Sequence, residues 1–383
     1  MTYMLTFRGL FILLVAVAAV TVLWFQVTEA AIPDQENPAM AILRRVARES
    51  ENLRFEGTQV MIYWSPRGAK ASIVRIAREG LSKVRIEYLP SADNPYRLFI
   101  SDGSRIWTYA PSQKIVTSQP VGPRSYSVQF PIEGVYMKNL DLAGENYMVK
   151  LLGRAVVAGR RSYAILLSPK YRGNPIRRIW VDSENPVILR TEEFDDNKNL
   201  TYLSYFVRID FPSDIPDELF DFAPPPGVKV ICEKEQPTMV PPQDLRRKFG
   251  SDIIFPSFST LGYSLEGGAP ARLGPVACIH LQYSDGFNVV SFFQTLSADR
   301  SRIHLQNAET VEVNGSKADL VEEPRANILR WEADGRNLFL VGNVSKDILI
   351  KMAESVKISD GVRRSEGLIE DLASKFLLIL TRH

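Results

Sequence analysis

His280, Ser284 and Asp285 are residue types that could supply a base, a nucleophile and an orienting carboxylate, and they lie close together in the chain. The histidine precedes the serine by four residues and the aspartate by five, so a site of that kind would hydrolyse an ester or an amide. Ser284-Asp285-Gly286, however, has the composition of a turn between two strands, and a histidine beside such a turn is ordinarily structural. No G-x-S-x-G, H-E-x-x-H, P-loop, EF-hand loop or G-x-G-x-x-G pattern stands anywhere in the chain. Only three histidines occur, His280, His304 and His383, which leaves little material for a histidine-based metal site. Asp195-Asp196-Asn197 resembles part of a calcium loop but lacks the glutamate that would complete it. The residues therefore predict no catalytic group, no cofactor and no metal.

The elements that would position any site begin with an export signal. Arg8 is followed by Leu10–Phe25, sixteen residues of which only Thr21 is polar, and Thr28 and Ala30 suit cleavage after Ala30. A signal peptide over residues 1–30 is the expectation; an uncleaved anchor with Trp24 and Phe25 at its outer end is the alternative. Either places the rest of the chain outside the cytoplasm, where Cys232 and Cys278 can form a disulfide; two unpaired thiols are the alternative. No cysteine follows the apolar run to take a lipid, and there is no C-x-x-C pair for redox exchange. The 383 residues carry 46 Lys+Arg against 44 Asp+Glu, a balance of +2 that lacks the field of a nucleic-acid binder.

Beyond the leader, Asn37-Pro38 starts a helix whose apolar stripe is Ile42, Leu43, Val46 and Leu53. From Phe55 the period becomes two. The runs Phe55–Trp64, Ser72–Arg78, Val84–Leu89, Arg97–Ser101, Ile106–Tyr109 and Ile115–Thr117 read as an antiparallel meander, resuming from Tyr147 to Ile209 after an irregular stretch. Within that stretch Tyr126–Phe130 reads as an edge segment and Pro131–Asn139 as a short helix. The first domain spans residues 31–231. Three prolines in Cys232–Asp244 predict a linker over 232–249, and strands followed by a helix over Ser345–Val356 predict an α+β domain over 250–360, with a tail at 361–383. Many aromatic residues crowd the first domain, as either a sheet core or the lining of an apolar cavity under a curved sheet.

The stretches Phe55–Val60, Ser101–Pro111, Val157–Tyr163, Ile179–Asp182 and Phe220–Pro225, in that order, resemble the LolA/LolB-like lipoprotein-sorting proteins and the N-terminal domain of the MucB/RseB regulators. Leu261–Leu265, Leu281–Phe287 and Val290–Phe293 are similar to the second domain of MucB/RseB proteins, and Leu329–Glu332, Asp334–Leu338 and Met352–Val356 to a small domain found attached to anti-sigma-factor-like proteins. The resemblance implies a mainly β (α+β) fold: an incomplete antiparallel β-barrel with covering helices, joined to a smaller α+β domain. It further implies a periplasmic, non-enzymatic protein. One half takes a lipid or lipoprotein acyl chain, and the other binds the periplasmic part of a membrane-spanning anti-sigma factor, shielding it from a protease until lipid is bound. A carrier of lipoproteins or lipids toward the outer membrane is the alternative, and a hydrolase built on Ser284, His280 and Asp285 is a third reading. On this basis Tyr63, Tyr88, Trp107, Tyr109 and Trp180 are candidate cavity residues, and Tyr283, Phe287 and Phe292 are candidate partner contacts. The segment Glu233–Asp244 would be the hinge between the two binding halves.

Overall fold

A computed structural model describes residues 37–356 apart from 66–67, 92–94, 122–136, 138, 233–236, 251–252, 274–275, 296–304, 306–307 and 324–325. The expected signal peptide, the edge segment over Tyr126–Phe130, nearly all of the short helix expected over 131–139 and the tail lie outside the described residues. Among the described residues no helix is long and apolar enough to cross a membrane.

Helix α1 (Pro38–Glu49) starts where Asn37-Pro38 predicts and turns Ala39, Met40, Leu43 and Val46 inward. Strands β1 (Arg54–Ser65), β2 (Gly68–Glu79), β3 (Lys83–Tyr88), β4 (Arg97–Asp102), β5 (Arg105–Ala110) and β6 (Ile115–Pro120) form the first meander. Helix α2 (Leu140–Asn146) follows, capped by the Asn139 side chain, which accepts from the Leu142 amide at 3.0 Å. The second meander comprises β7 (Tyr147–Val157), β8 (Arg160–Pro169), β9 (Ile176–Asp182), β10 (Ile188–Phe194) and β11 (Leu200–Asp210). Strand β11 returns to pair with β1, joining both meanders into one twelve-stranded sheet with edges at β7 and at β12 (Lys229–Cys232). The sheet is open rather than a closed barrel. Its one parallel pairing is β12 on β6, a short strand that the Pro-rich sequence around it does not announce.

Cross-strand partners share a face, so the register sorts the side chains. Gln59 opposes Val74, Gly57 opposes Ile76 and Phe55 opposes Arg78 between β1 and β2; Ile76 in turn opposes Ile86, and Val74 opposes Tyr88, between β2 and β3. That face carries the apolar residues packed under α1 and α2. On the reverse face Ile100 opposes Trp107 and Leu98 opposes Tyr109. The chain after β11 covers it there: Ile215 and Phe220 pack on Ala77, and the Phe222 ring lies 5.7 Å from that of Trp107 and 5.9 Å from that of Tyr109.

The second sheet has seven antiparallel strands in the order β13-β14-β15-β19-β18-β17-β16. They are β13 (Ser264–Leu273), β14 (Val276–Ser284), β15 (Val289–Thr295), β16 (Glu309–Val313), β17 (Ser316–Glu323), β18 (Ala326–Ala333) and β19 (Arg336–Gly342). Strand β13 contains Pro270 and is tolerated because it is an edge. Ser345 caps helix α4 (Lys346–Glu354), which buries Ile348, Leu349, Met352 and Ala353 against this sheet. The stretch expected as a linker is only partly one. Val240 bridges to Gly268, and helix α3 (Leu245–Phe249) buries Leu245 and Phe249 in the second core, because these apolar residues lie among polar ones and find an open sheet edge.

The candidate site: a cavity under α1 and a buried polar seam

An apolar cavity lies between α1 and the helix-bearing face of the first sheet. Val46, Leu53, Phe55, Val84, Val187 and Phe206 supply its apolar lining, and Met137, Pro186 and Ile188 complete it. The cavity volume is about 40 Å³. Arg78 and Ser50 add the polar part: the Arg78 guanidinium donates to Gly80 O at 2.7 Å and Ser50 O at 3.0 Å, tying the turn after α1 to the end of β2. Against such a lining, burial of each CH₂ contributes about 0.8 kcal/mol without any catalytic group.

The five aromatic residues expected to line a cavity divide between the two faces. Tyr63 and Tyr88 lie on the cavity face, Tyr63 stacked on Tyr202 at 4.8 Å, yet neither is a lining residue. Trp107 and Tyr109 point to the reverse face under Phe222. Trp180 opposes Arg190 on that same reverse face, its ring 4.8 Å from the Arg190 guanidinium and 5.9 Å from that of Arg178. Large aromatic residues thus occupy both faces, on the reverse face where Phe222 and the arginine side chains lie over them. The lining residues Leu53, Phe55, Val187 and Phe206 were legible only as apolar positions in strands, and nothing in their types separates them from the core.

The hydrolase reading does not assemble. His280 Nε2 lies 2.9 Å from Ser291 Oγ, and its ring stacks on Phe293 at 4.5 Å. Ser284 Oγ accepts from the Gly286 amide at 2.9 Å, and the Asp285 carboxylate turns to other partners. Burial lowers the His280 pKa to about 4, so the ring stays neutral in the folded protein. Protonation near pH 6.5 then favours the unfolded chain. Stability contributed by the neutral ring is present above pH 6.5 and falls by about 1.4 kcal/mol per pH unit as pH drops toward 4. His280→Phe is expected to flatten that part of the stability–pH curve, and an NMR titration of His280 with a midpoint near 6.5 would refute it.

Asp285 sits instead at the centre of a seam between the two sheets. Its carboxylate is wholly buried and accepts from the Phe287 and Asn288 amides at 2.9 and 2.6 Å. Three side chains also donate to it: Tyr147 Oη at 2.7 Å, Asn288 Nδ2 at 2.8 Å and Asn174 Nδ2 at 3.0 Å. Asn174 Oδ1 in turn accepts from Tyr263 Oη at 2.8 Å, and Asn146 Nδ2 donates to Gly262 O and Asp285 O at 2.7 and 3.0 Å. Burial, with the Asp285 charge adding to it, raises the Tyr147 and Tyr263 phenols well above their ordinary value, so both remain hydrogen-bond donors. Beside them Arg177 Nε donates to Glu193 Oε1 at 2.6 Å and Arg177 Nη2 to Asn288 Oδ1 at 2.5 Å, while Asn343 Nδ2 reaches Glu193 Oε2 at 2.9 Å.

Glycines let the sheets approach. Gly286 has φ +102°, and a Cβ there would stand 2.5 Å from Ala143 Cα; Gly173 has φ +98°, and a Cβ there would stand 2.8 Å from Ser345 Oγ. The hinge expected at Glu233–Asp244 is therefore bypassed by a direct and fully buried contact. Tyr283, Phe287 and Phe292, the expected partner contacts, are all committed to the interior. Tyr283 donates to Pro256 O, Phe292 packs near Trp331, and Phe287 lies across Tyr147 with ring centroids 4.9 Å apart.

Both cysteines are free thiols, Cys232 exposed on the edge strand of the first sheet and Cys278 buried in the second. The expected disulfide is absent because the residues belong to different sheets, one outward and one inward. Burial pushes the Cys278 thiol up to about 12. A maleimide is expected to label one thiol in the native protein, at Cys232, and both after denaturation, as read by intact mass. Among the described residues no group of three or more His, Cys, Asp or Glu could hold a metal.

Residues 38–223, which hold α1, the cavity and strands β1–β11 of the first sheet, match the MucB/RseB N-terminal domain. Over that span the chain is similar to the MucB/RseB proteins. Residues 275–356 match a domain of unknown function, DUF4367. The fold is similar to that of MucB in the Pseudomonas aeruginosa MucA/MucB complex (TM-score 0.54, 16% identity, 84% of this chain and 98% of that one). It is likewise similar to MucB in complex with MucA(peri), with TM-score 0.51, 17% identity and coverage of 83% and 98%. An uncharacterized protein of Methanocaldococcus jannaschii, MJ0687, is 22% identical over 269 residues, 69% of this chain and 77% of that protein. The outer-membrane lipoprotein carrier protein of Nitrosospira multiformis is 28% identical over 143 residues, 37% of this chain and 65% of the carrier.

Proposed function

We propose that this chain is an exported, periplasmic regulator of an envelope-stress sigma factor. It binds the periplasmic part of a membrane-spanning anti-sigma factor and receives a lipid or lipoprotein acyl chain in the cavity under α1. One observation carries this reading: the likeness to MucB, a protein crystallised with MucA, extends over both sheets and 98% of the MucB chain. A lipoprotein carrier would use the first sheet alone. The carrier relative, matched over 37% of this chain, supports an apolar ligand but leaves most of the chain without a task.

The test is calorimetric titration of the purified protein with the periplasmic segment of its host's anti-sigma factor. Saturable one-to-one binding is expected; no binding, together with transfer of lipoproteins between membranes, would establish the carrier reading instead. The cavity has its own test. Val187→Phe adds volume at a lining position, which costs about 1–3 kcal/mol of stability if the side chain must be forced in. It is expected to weaken binding of a palmitoyl fluorophore at least tenfold, and unchanged binding would place the acyl site elsewhere.

A further inference from the structure

Phe287 belongs by chain position to the second sheet, on the turn between β14 and β15, but its ring lies in the core of the first. There it shares one buried cluster with Ala39, Met40, Leu43 and Val46 of α1, with Tyr147 of β7 and with Ile179 of β9. Val46 also lines the cavity, and so do Met137 and Ile188, which pack against the same cluster. The side of the cavity formed by Val46, Met137 and Ile188 thus shares one core with the Phe287 ring, and close-packed interiors transmit displacement rather than absorb it. Behind the ring the turn is stiff. Asp285 accepts from the Phe287 and Asn288 amides, Gly286 presses on Ala143, and Val290 pairs with Gly342 on the far side of β15.

We infer that the Phe287 turn is the coupling element between the cavity and the second sheet: an acyl chain that shifts α1 moves the ring, and the ring moves β15. This rests on the proposed acyl site under α1. Coupling then runs through the seam, with the Pro-rich connection acting only as a tether. By linkage, whatever the cavity occupant does to this turn, a ligand of the second sheet that shifts the turn does in return to the cavity.

Hydrogen exchange of the full chain, with and without palmitate, tests it. Saturating palmitate is expected to change exchange at the Gly286–Val290 amides at least threefold in the unmodified protein. Phe287→Ala is expected to bind palmitate within twofold of the unmodified protein yet to lose that response, and Phe287→Leu, which keeps an apolar plug and guards against an unfolded alanine variant, to restore most of it. Palmitate binding with no change at these amides overturns the coupling and leaves the acyl site standing. A response that persists in Phe287→Ala overturns the role of the ring. If palmitate does not bind at all, the acyl site falls and the coupling falls with it.

Discussion

Alanine at Asp285 is expected to destabilise the protein by about 3–5 kcal/mol, the range found when one member of a buried charged network is removed. The carboxylate has 0% exposure and accepts five hydrogen bonds, three of them from side chains of Tyr147, Asn174 and Asn288. Deleting it leaves those donors and two backbone amides facing an apolar hole, and each unsatisfied group costs about 1–3 kcal/mol unless a water enters. An asparagine side chain at this position would keep one acceptor but aim an NH₂ at groups that are themselves donors, so Asp285→Asn is expected to recover less than half the loss. Urea denaturation followed by tryptophan emission reads both effects. The two sheets should also begin to unfold separately, because the seam that makes them cooperative is centred on this residue. An Asp285→Ala protein within 1 kcal/mol of the parent would show that the seam is not what joins the sheets.

The second large effect concerns Arg177 and Glu193, with 2% and 4% exposure. Burial opposes the arginine's charge, but Glu193, helped by Tyr147 and Asp285, outweighs it and holds the guanidinium above its usual pKa. Arg177→Ala is expected to cost about 3–5 kcal/mol, since it strands the Glu193 charge and the Asn288 amide oxygen. Replacing the pair together by Met and Leu is expected to cost at least 1 kcal/mol less than Arg177→Ala alone, because two apolar side chains of similar volume need no partner. A double-mutant cycle in urea measures that difference. If the paired replacement is the worse of the two, the ion pair is a net source of stability here rather than a device that orients the seam.

Local features of the chain are easily read, because their causes are local. Asn37-Pro38 starts α1, Ser345 caps α4 and alternation marks strands such as Ile176–Asp182, each through neighbours within a few residues. Strand β13 and helix α2 escape that reading. The first carries Gly267, Gly268 and Pro270, which speak against a strand unless it lies at an edge, and the second is too short to show a period.

The turn Ser284-Asp285-Gly286 shows where local reading ends. Its composition correctly marks a turn, and turns are ordinarily solvated, so nothing in these residues predicts a wholly buried carboxylate. That depends on Tyr147 and Asn174, more than a hundred positions away, arriving with their donors. The same limit applies to the aromatic residues. A period of two states that Trp107 and Met61 lie on strands, but not which face meets α1, and only the pairing of β1 with β11 and the passage of residues 211–227 over the reverse face decide it. The sequence by itself therefore determined the strands, the main helices, the resemblance to MucB/RseB proteins and the absence of the common catalytic patterns. Tertiary structure alone decided which side chains line the cavity and that the sheets meet through a buried seam, since burial and hydrogen-bond satisfaction are properties of residues brought together from distant parts of the chain.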